Sequence, residues 1–100
     1  MYRWIRTIRI KAGQDAAAQQ VCKAIVDLLN KKYPGHAYEA HVEVFGAGST
    51  IHFTAVFANL AARETMTDQV ATDAEYQALS QKGSDTAIEG STHDTLMRSI

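Results

Sequence analysis

Apolar and polar residues alternate with a period of two in four stretches of this chain and recur with a helical period between them. The first alternating stretch, Tyr2 to Lys11, carries Tyr2, Trp4, Arg6, Ile8 and Ile10 on its even side. Arg3, Ile5, Thr7 and Arg9 make up the odd side. Arg6 interrupts the apolar side, which predicts a bulge or a strand partly covered on both faces. Ala12-Gly13 ends the strand, and Asp15 is a candidate N-cap. From Ala16 to Lys32 the residues Ala18, Val21, Cys22, Ile25, Leu28 and Leu29 form one helical stripe, opposite Gln19, Gln20, Lys23, Asp27 and Lys31. Tyr33-Pro34-Gly35 stops that helix, because proline lacks the donor and disfavours helical geometry in the residue before it. Cys22 lies on the stripe and reads as a small core hydrophobe rather than a reactive thiol.

The next two stretches, His36 to Phe45 and Thr50 to Phe57, fold back on each other around Gly46-Ala47-Gly48-Ser49. One face of this hairpin shows Tyr38, Ala40, Val42, Val44, Ile51, Phe53, Ala55 and Phe57. The other shows Glu39, His41, Glu43, Phe45, His52, Thr54 and Val56. Pairing Phe45 with Thr50 sets Glu43 opposite His52 and His41 opposite Thr54, which gathers imidazoles and carboxylates on the face away from the core.

Beyond the hairpin, Asn59 is a good N-cap for a helix that starts at Leu60 and shows a weak stripe of Leu60, Arg63, Met66 and Val70. Ala71-Thr72-Asp73 interrupts it, with Thr72 or Asp73 capping a short helix that presents Tyr76 and Leu79 and ends at Gly83. Gly83 to Ser91 reads as a loop. Thr92 to Ile100 alternates again, with His93, Thr95, Met97 and Ser99 on one side. The order strand, helix, strand, strand, helix, strand is the split βαβ pattern of a ferredoxin-like α+β domain spanning residues 1–100. That topology predicts a four-stranded antiparallel sheet in the order 4-1-3-2, with its helices on one face. The other face carries Phe45, Val56 and either Ile5 or Trp4, an apolar area that a second copy of the chain would cover, giving a dimeric α/β barrel.

Composition narrows the function classes. The 100 residues, 46% hydrophobic and 21% charged, make one ordinary globular domain. A net charge of −1 gives no electrostatic footprint for nucleic acid, and no run approaches membrane-spanning length. The single cysteine excludes an intramolecular disulfide and fits a reducing, cytoplasmic setting.

Three short motifs carry a resemblance. Ile8-Arg9-Ile10-Lys11-Ala12-Gly13 resembles the strand and "KPG" start of the dimeric α/β-barrel superfamily, with Ala12 in place of proline. Phe57-Ala58-Asn59-Leu60-Ala61-Ala62 resembles the strand end and helix start of NIPSNAP-like members. Asp73-Ala74-Glu75-Tyr76-Gln77-Ala78-Leu79 resembles their "DPEWQAL" segment, with Ala74 and Tyr76 as departures. The resemblance implies a ferredoxin-like homodimer related to NIPSNAP proteins and small antibiotic-biosynthesis monooxygenases; it leaves the chemistry open.

On the residues themselves, a binding cavity between two sheets would use His52 as general base, oriented by Glu43. His41, Arg9, Thr54, Phe45 and His93 would contact the ligand, and Thr7 or Arg9 could approach His52. Proton abstraction from an activated phenol or carbonyl carbon fits this equipment, as in a cofactor-independent monooxygenase or cyclase acting on an aromatic or polyketide-like molecule. His41, Glu43 and His52 also have a facial-triad composition, but without a recognised metal signature, so no metal is expected. Trp4, Asn59 and His93 do not reproduce the asparagine, tryptophan and histidine that haem-binding members of the superfamily place around the ring, and no cofactor is expected. His36 reads as solvated. The structural alternative is a Glu43–His52 pair contributing roughly 0.2–1 kcal/mol to sheet pairing, in a non-catalytic binding or structural dimer whose barrel is filled by Phe45, Trp4 and Met97.

Overall fold

The computed structural model describes residues 1–46 and 48–100, so Ala47 in the expected turn lies outside the described residues. The elements are β1 (Tyr2–Arg9), α1 (Asp15–Lys32), β2 (Glu39–Val42), β3 (Thr50–Phe57), α2 (Leu60–Ala71), α3 (Ala74–Thr86) and β4 (His93–Arg98). The strands form one antiparallel sheet ordered β2-β3-β1-β4, the expected ferredoxin-like arrangement. None of the described helices is long and apolar enough to cross a membrane.

β1 runs through the middle without a bulge: Tyr2 to Arg9 pair consecutively with Phe57 to Thr50, and Tyr2 to Thr7 with Arg98 to His93. Its even positions therefore share a face with Ile51, Phe53, Ala55 and Phe57, and α1 supplies Ala18, Cys22, Ile25 and Leu29 to the same core. Trp4 is buried there, so it does not contribute to the open face. Burial pushes the Cys22 thiol up to about 11, as suits a core hydrophobe. Arg6 stays on the helix-facing side without disrupting the strand. Its guanidinium forms a two-pronged ion pair with Asp94 (Nε–Oδ1 2.7 Å, Nη2–Oδ2 2.9 Å) and lies 5.2 Å from the centre of the Trp4 ring.

The helices depart from expectation at their ends. Asp15 is the first residue of α1 rather than its cap, which is Gln14. Asn59 does cap α2, accepting the Ala62 N–H at 2.8 Å. Asp73 caps α3, which runs past Gly83 to Thr86. Gly83 lies inside it on the side of α1, where a Cβ would meet the Val21 side chain at 3.6 Å, an ordinary packing distance. His36 is half-buried rather than solvated, its ring centre 4.6 Å from that of Phe57 and its Nδ1 3.1 Å from the Val56 carbonyl oxygen.

Asp73 also ties α3 to the end of α1. The Tyr33 hydroxyl donates to it at 2.6 Å, the Tyr76 N–H at 3.1 Å and the Lys32 ammonium at 3.2 Å. The Tyr33 hydroxyl, ahead of the Tyr76 N–H and Lys32, holds the Asp73 carboxyl down at about 2. A carboxyl lowered on folding stabilises the fold fully above its unfolded value near 3.8 and loses that effect as pH falls towards 2. Asp73→Ala should lower the melting temperature by about 5 °C at neutral pH. Thermal melts across pH should show the gap between variant and parent closing as pH falls from about 4 to about 2.

Candidate functional site

The odd positions of β1 face away from the helices, together with His52, Thr54 and Val56 of β3, Glu39 and His41 of β2, and His93, Thr95 and Met97 of β4. One line across this face is polar from edge to edge. His41 is paired with His52, His52 with Thr7, and Thr7 with His93. Directly paired residues on one face hold their Cβ atoms about 4.5–5.5 Å apart, so the row places three imidazoles and a hydroxyl side by side.

This register differs from the expected one. His41, not Glu43, lies opposite His52, because β2 ends at Val42 and a long connection replaces the four-residue turn. Val44 and Phe45 swing outward in that connection, and Phe45 is 96% exposed. The pairing is displaced by an even number of residues, so the side chains that remain in the sheet keep their faces. Glu43 still reaches His52, from one step further along the sheet: its backbone N–H donates to the Thr50 carbonyl at 3.0 Å, and its Oε1 lies 3.2 Å from His52 Nε2.

The second ring nitrogen of His52 is also engaged, with Nδ1 2.9 Å from Thr7 Oγ1. An ionised carboxylate can only accept, so Nε2 carries the proton that Glu43 receives. In the tautomer with the proton on Nε2, Nδ1 is bare and accepts the Thr7 hydroxyl. The three side chains form a carboxylate–imidazole–hydroxyl chain on the open face. His52 and Glu43 are half-buried, at 30% and 27% side-chain exposure, which leaves the chain accessible but shielded.

The remaining candidates fall around this chain. His93 flanks Thr7 on the side away from His52. Arg9 follows Thr7 on the same side of β1, its backbone held by Ser91 and Ile88. Thr54 lies opposite Glu39 and Ile5, one pair further along. His41 is well exposed and lies 4.0 Å from Glu39, not against Glu43. Among the described residues, no three His, Cys, Asp or Glu side chains converge as a metal-binding group. Grooves of about 440 Å³ and 340 Å³ flank β2, with Glu43 lining the first and His41 the second. Thr7 is the residue whose part the sequence shows only once the register is known, since a lone threonine on a strand has no distinguishing signal.

No protein-family model matches this chain, and no curated protein does. Solved structures do share its fold. An uncharacterised NIPSNAP domain protein from Burkholderia xenovorans aligns over 100% of this chain and 95% of its own, at 16% identity and a TM-score of 0.82. A NIPSNAP family protein from Agrobacterium tumefaciens aligns over 97% and 90%, at 19% identity and a TM-score of 0.79. An antibiotic biosynthesis monooxygenase aligns over 100% and 99%, at 16% identity and a TM-score of 0.77. The fold is the one that the short motifs implied.

Gly46 makes room for the Glu43 carboxylate: a Cβ there would lie 2.8 Å from its Oε2. The carboxylate is the far end of a flexible side chain, which can shift to admit a Cβ. Gly46→Ala should therefore change stability by no more than about 0.5 kcal/mol while displacing Glu43 from His52. The His52 ring ¹⁵N chemical shifts should show loss of the Nε2–H hydrogen bond, whereas denaturant unfolding should barely change.

Proposed function

We propose that two copies of the chain pack their open sheet faces together and enclose a small aromatic or polyketide-like molecule, from which His52 removes a proton. The observation that carries this reading is the Glu43–His52–Thr7 chain on a face that no helix among the described residues covers. Ile5, Val56 and Met97 supply apolar patches around the polar row. A flat molecule could rest on them with an oxygen directed at the row.

Glu43 fixes the ring so that Nδ1 is the basic nitrogen and steadies the imidazolium once the proton arrives. The Thr7 hydroxyl rotates aside to admit the substrate's acidic hydrogen. His41, Arg9, Thr54 and His93 then offer donors for the oxygens of the resulting anion. Removal of a proton from a phenol or activated carbon is the first step of both cyclisation and cofactor-independent attack by dioxygen, so the site suits a small cyclase or monooxygenase. The structural likeness to NIPSNAP proteins and to an antibiotic biosynthesis monooxygenase supports such a reading. The unpaired Cys22 suits a cytoplasmic protein. The competing reading is a NIPSNAP-like binding or structural dimer whose barrel does no chemistry.

Two measurements separate these readings. Sedimentation equilibrium should give a dimer, and Val56→Glu, which places a charge in the packed face, should give a monomer. With anthrone as probe, the protein should accelerate exchange of the acidic C–H with deuterated water. His52→Ala should lower that rate by about 100-fold while anthrone still binds. Exchange that persists undiminished in His52→Ala leaves only the binding or structural dimer.

A further inference from the structure

We infer that Thr7 is a nucleophile and that the open face can carry acyl transfer from activated esters. The ground is the direction of the hydrogen-bond chain. The Glu43 carboxylate faces Nε2 of His52 at 3.2 Å, and the other nitrogen faces the Thr7 hydroxyl at 2.9 Å. Carboxylate, imidazole and hydroxyl in this order are what hydroxyl nucleophiles require, because the alcohol is weak until an oriented base takes its proton. The two ring nitrogens exchange their usual places here, and the logic of the relay is unaffected by that exchange.

The step balances within one chain. Thr7 Oγ1 attacks the ester carbonyl carbon as its proton moves to His52 Nδ1, and a tetrahedral oxyanion forms. His93 stands across β1 from His52, where an imidazole N–H can meet that oxyanion. The oxyanion collapses, the bond to the leaving oxygen breaks, and Nδ1 returns its proton to that oxygen. Water then attacks the acyl-threonine by the same route, releasing the acid and restoring the hydroxyl. The inference shares His52 with the proton-abstraction reading but needs neither a second copy nor an enclosed ligand, because all three groups belong to one chain.

The probe is p-nitrophenyl acetate, with nitrophenolate release followed by absorbance and acid-quenched protein mapped by peptide mass spectrometry. The expected result is an acetyl group on Thr7. Release should be about 100-fold slower in Thr7→Val and in His52→Gln, and Thr7→Ser should keep the rate within about tenfold. Thr7→Val preserves side-chain shape, and circular dichroism checks its fold. The two readings are tested apart, since acyl transfer is read as acetylation of Thr7 and proton abstraction as exchange of the anthrone C–H. Acetylation confined to lysines, the N-terminus or a histidine overturns the inference, as does nitrophenolate release that is unchanged in Thr7→Val. Neither result touches the exchange reaction.

Discussion

β1 is the constraint on which the rest depends. It is paired on both sides without interruption, so its alternation sets the facing of β3 and β4 as well as its own. Even positions meet the helices and odd positions meet the open face. A strand slipped by one residue would place Trp4 and Ile8 in solvent and bring Thr7 among Phe53 and Leu29. The core and the polar row are thus two readings of one register. Hydrophobic burial on the helix side holds the register, and the site on the other side inherits it.

Arg6 tests that account, because it points a charge toward the core. The structure resolves the conflict locally rather than by bulging the strand. Asp94 pairs with Arg6 across β1–β4 in direct register, and their mutual hydrogen bonds raise the Arg6 pKa and lower that of Asp94. Arg63 of α2 approaches the same Trp4 ring, 5.2 Å from its centre. Two guanidinium groups thus use the indole as a packing surface, and the charge remains near the rim, where water still reaches it. Both partners of the ion pair are partly exposed, so its value is about 1 kcal/mol or less. Its larger role is directional: it ties the otherwise exposed edge strand β4 to β1 at one defined pair.

Much of this was legible from residue order, and the failures have physical causes. The stripe from Ala18 to Leu29 and the caps Asn59 and Asp73 follow from local rules that tertiary packing does not override here. The hairpin faces follow from period-two alternation, which puts Glu43 and His52 on one side. The register did not follow, because alternation cannot say where pairing stops. Val44 and Phe45 continue the pattern in sequence yet leave the sheet. Ala37 adds a further distortion at the start of β2, with a left-handed φ of 50° that composition does not announce. Gly83 misled for a different reason. Glycine often follows the end of a helix, but here α3 continues past it to Thr86.

The site lies on the face of the sheet opposite the helices. Among the described residues, the helices cover one face of the four-stranded sheet and leave the other open. On an ordinary solvated face, a row of histidines, a threonine and a glutamate would each bond to water. Here the half-buried Glu43, His52 and Thr7 bond to one another, and Gly46 leaves the space that lets Glu43 do so. A carboxylate that orients an imidazole and an imidazole that holds a hydroxyl are more ordered than sheet pairing requires. The pairing strength of the same strands would be served as well by threonines or valines. The order of that chain, rather than the mere presence of histidines, is therefore the feature on which the proposed proton chemistry rests.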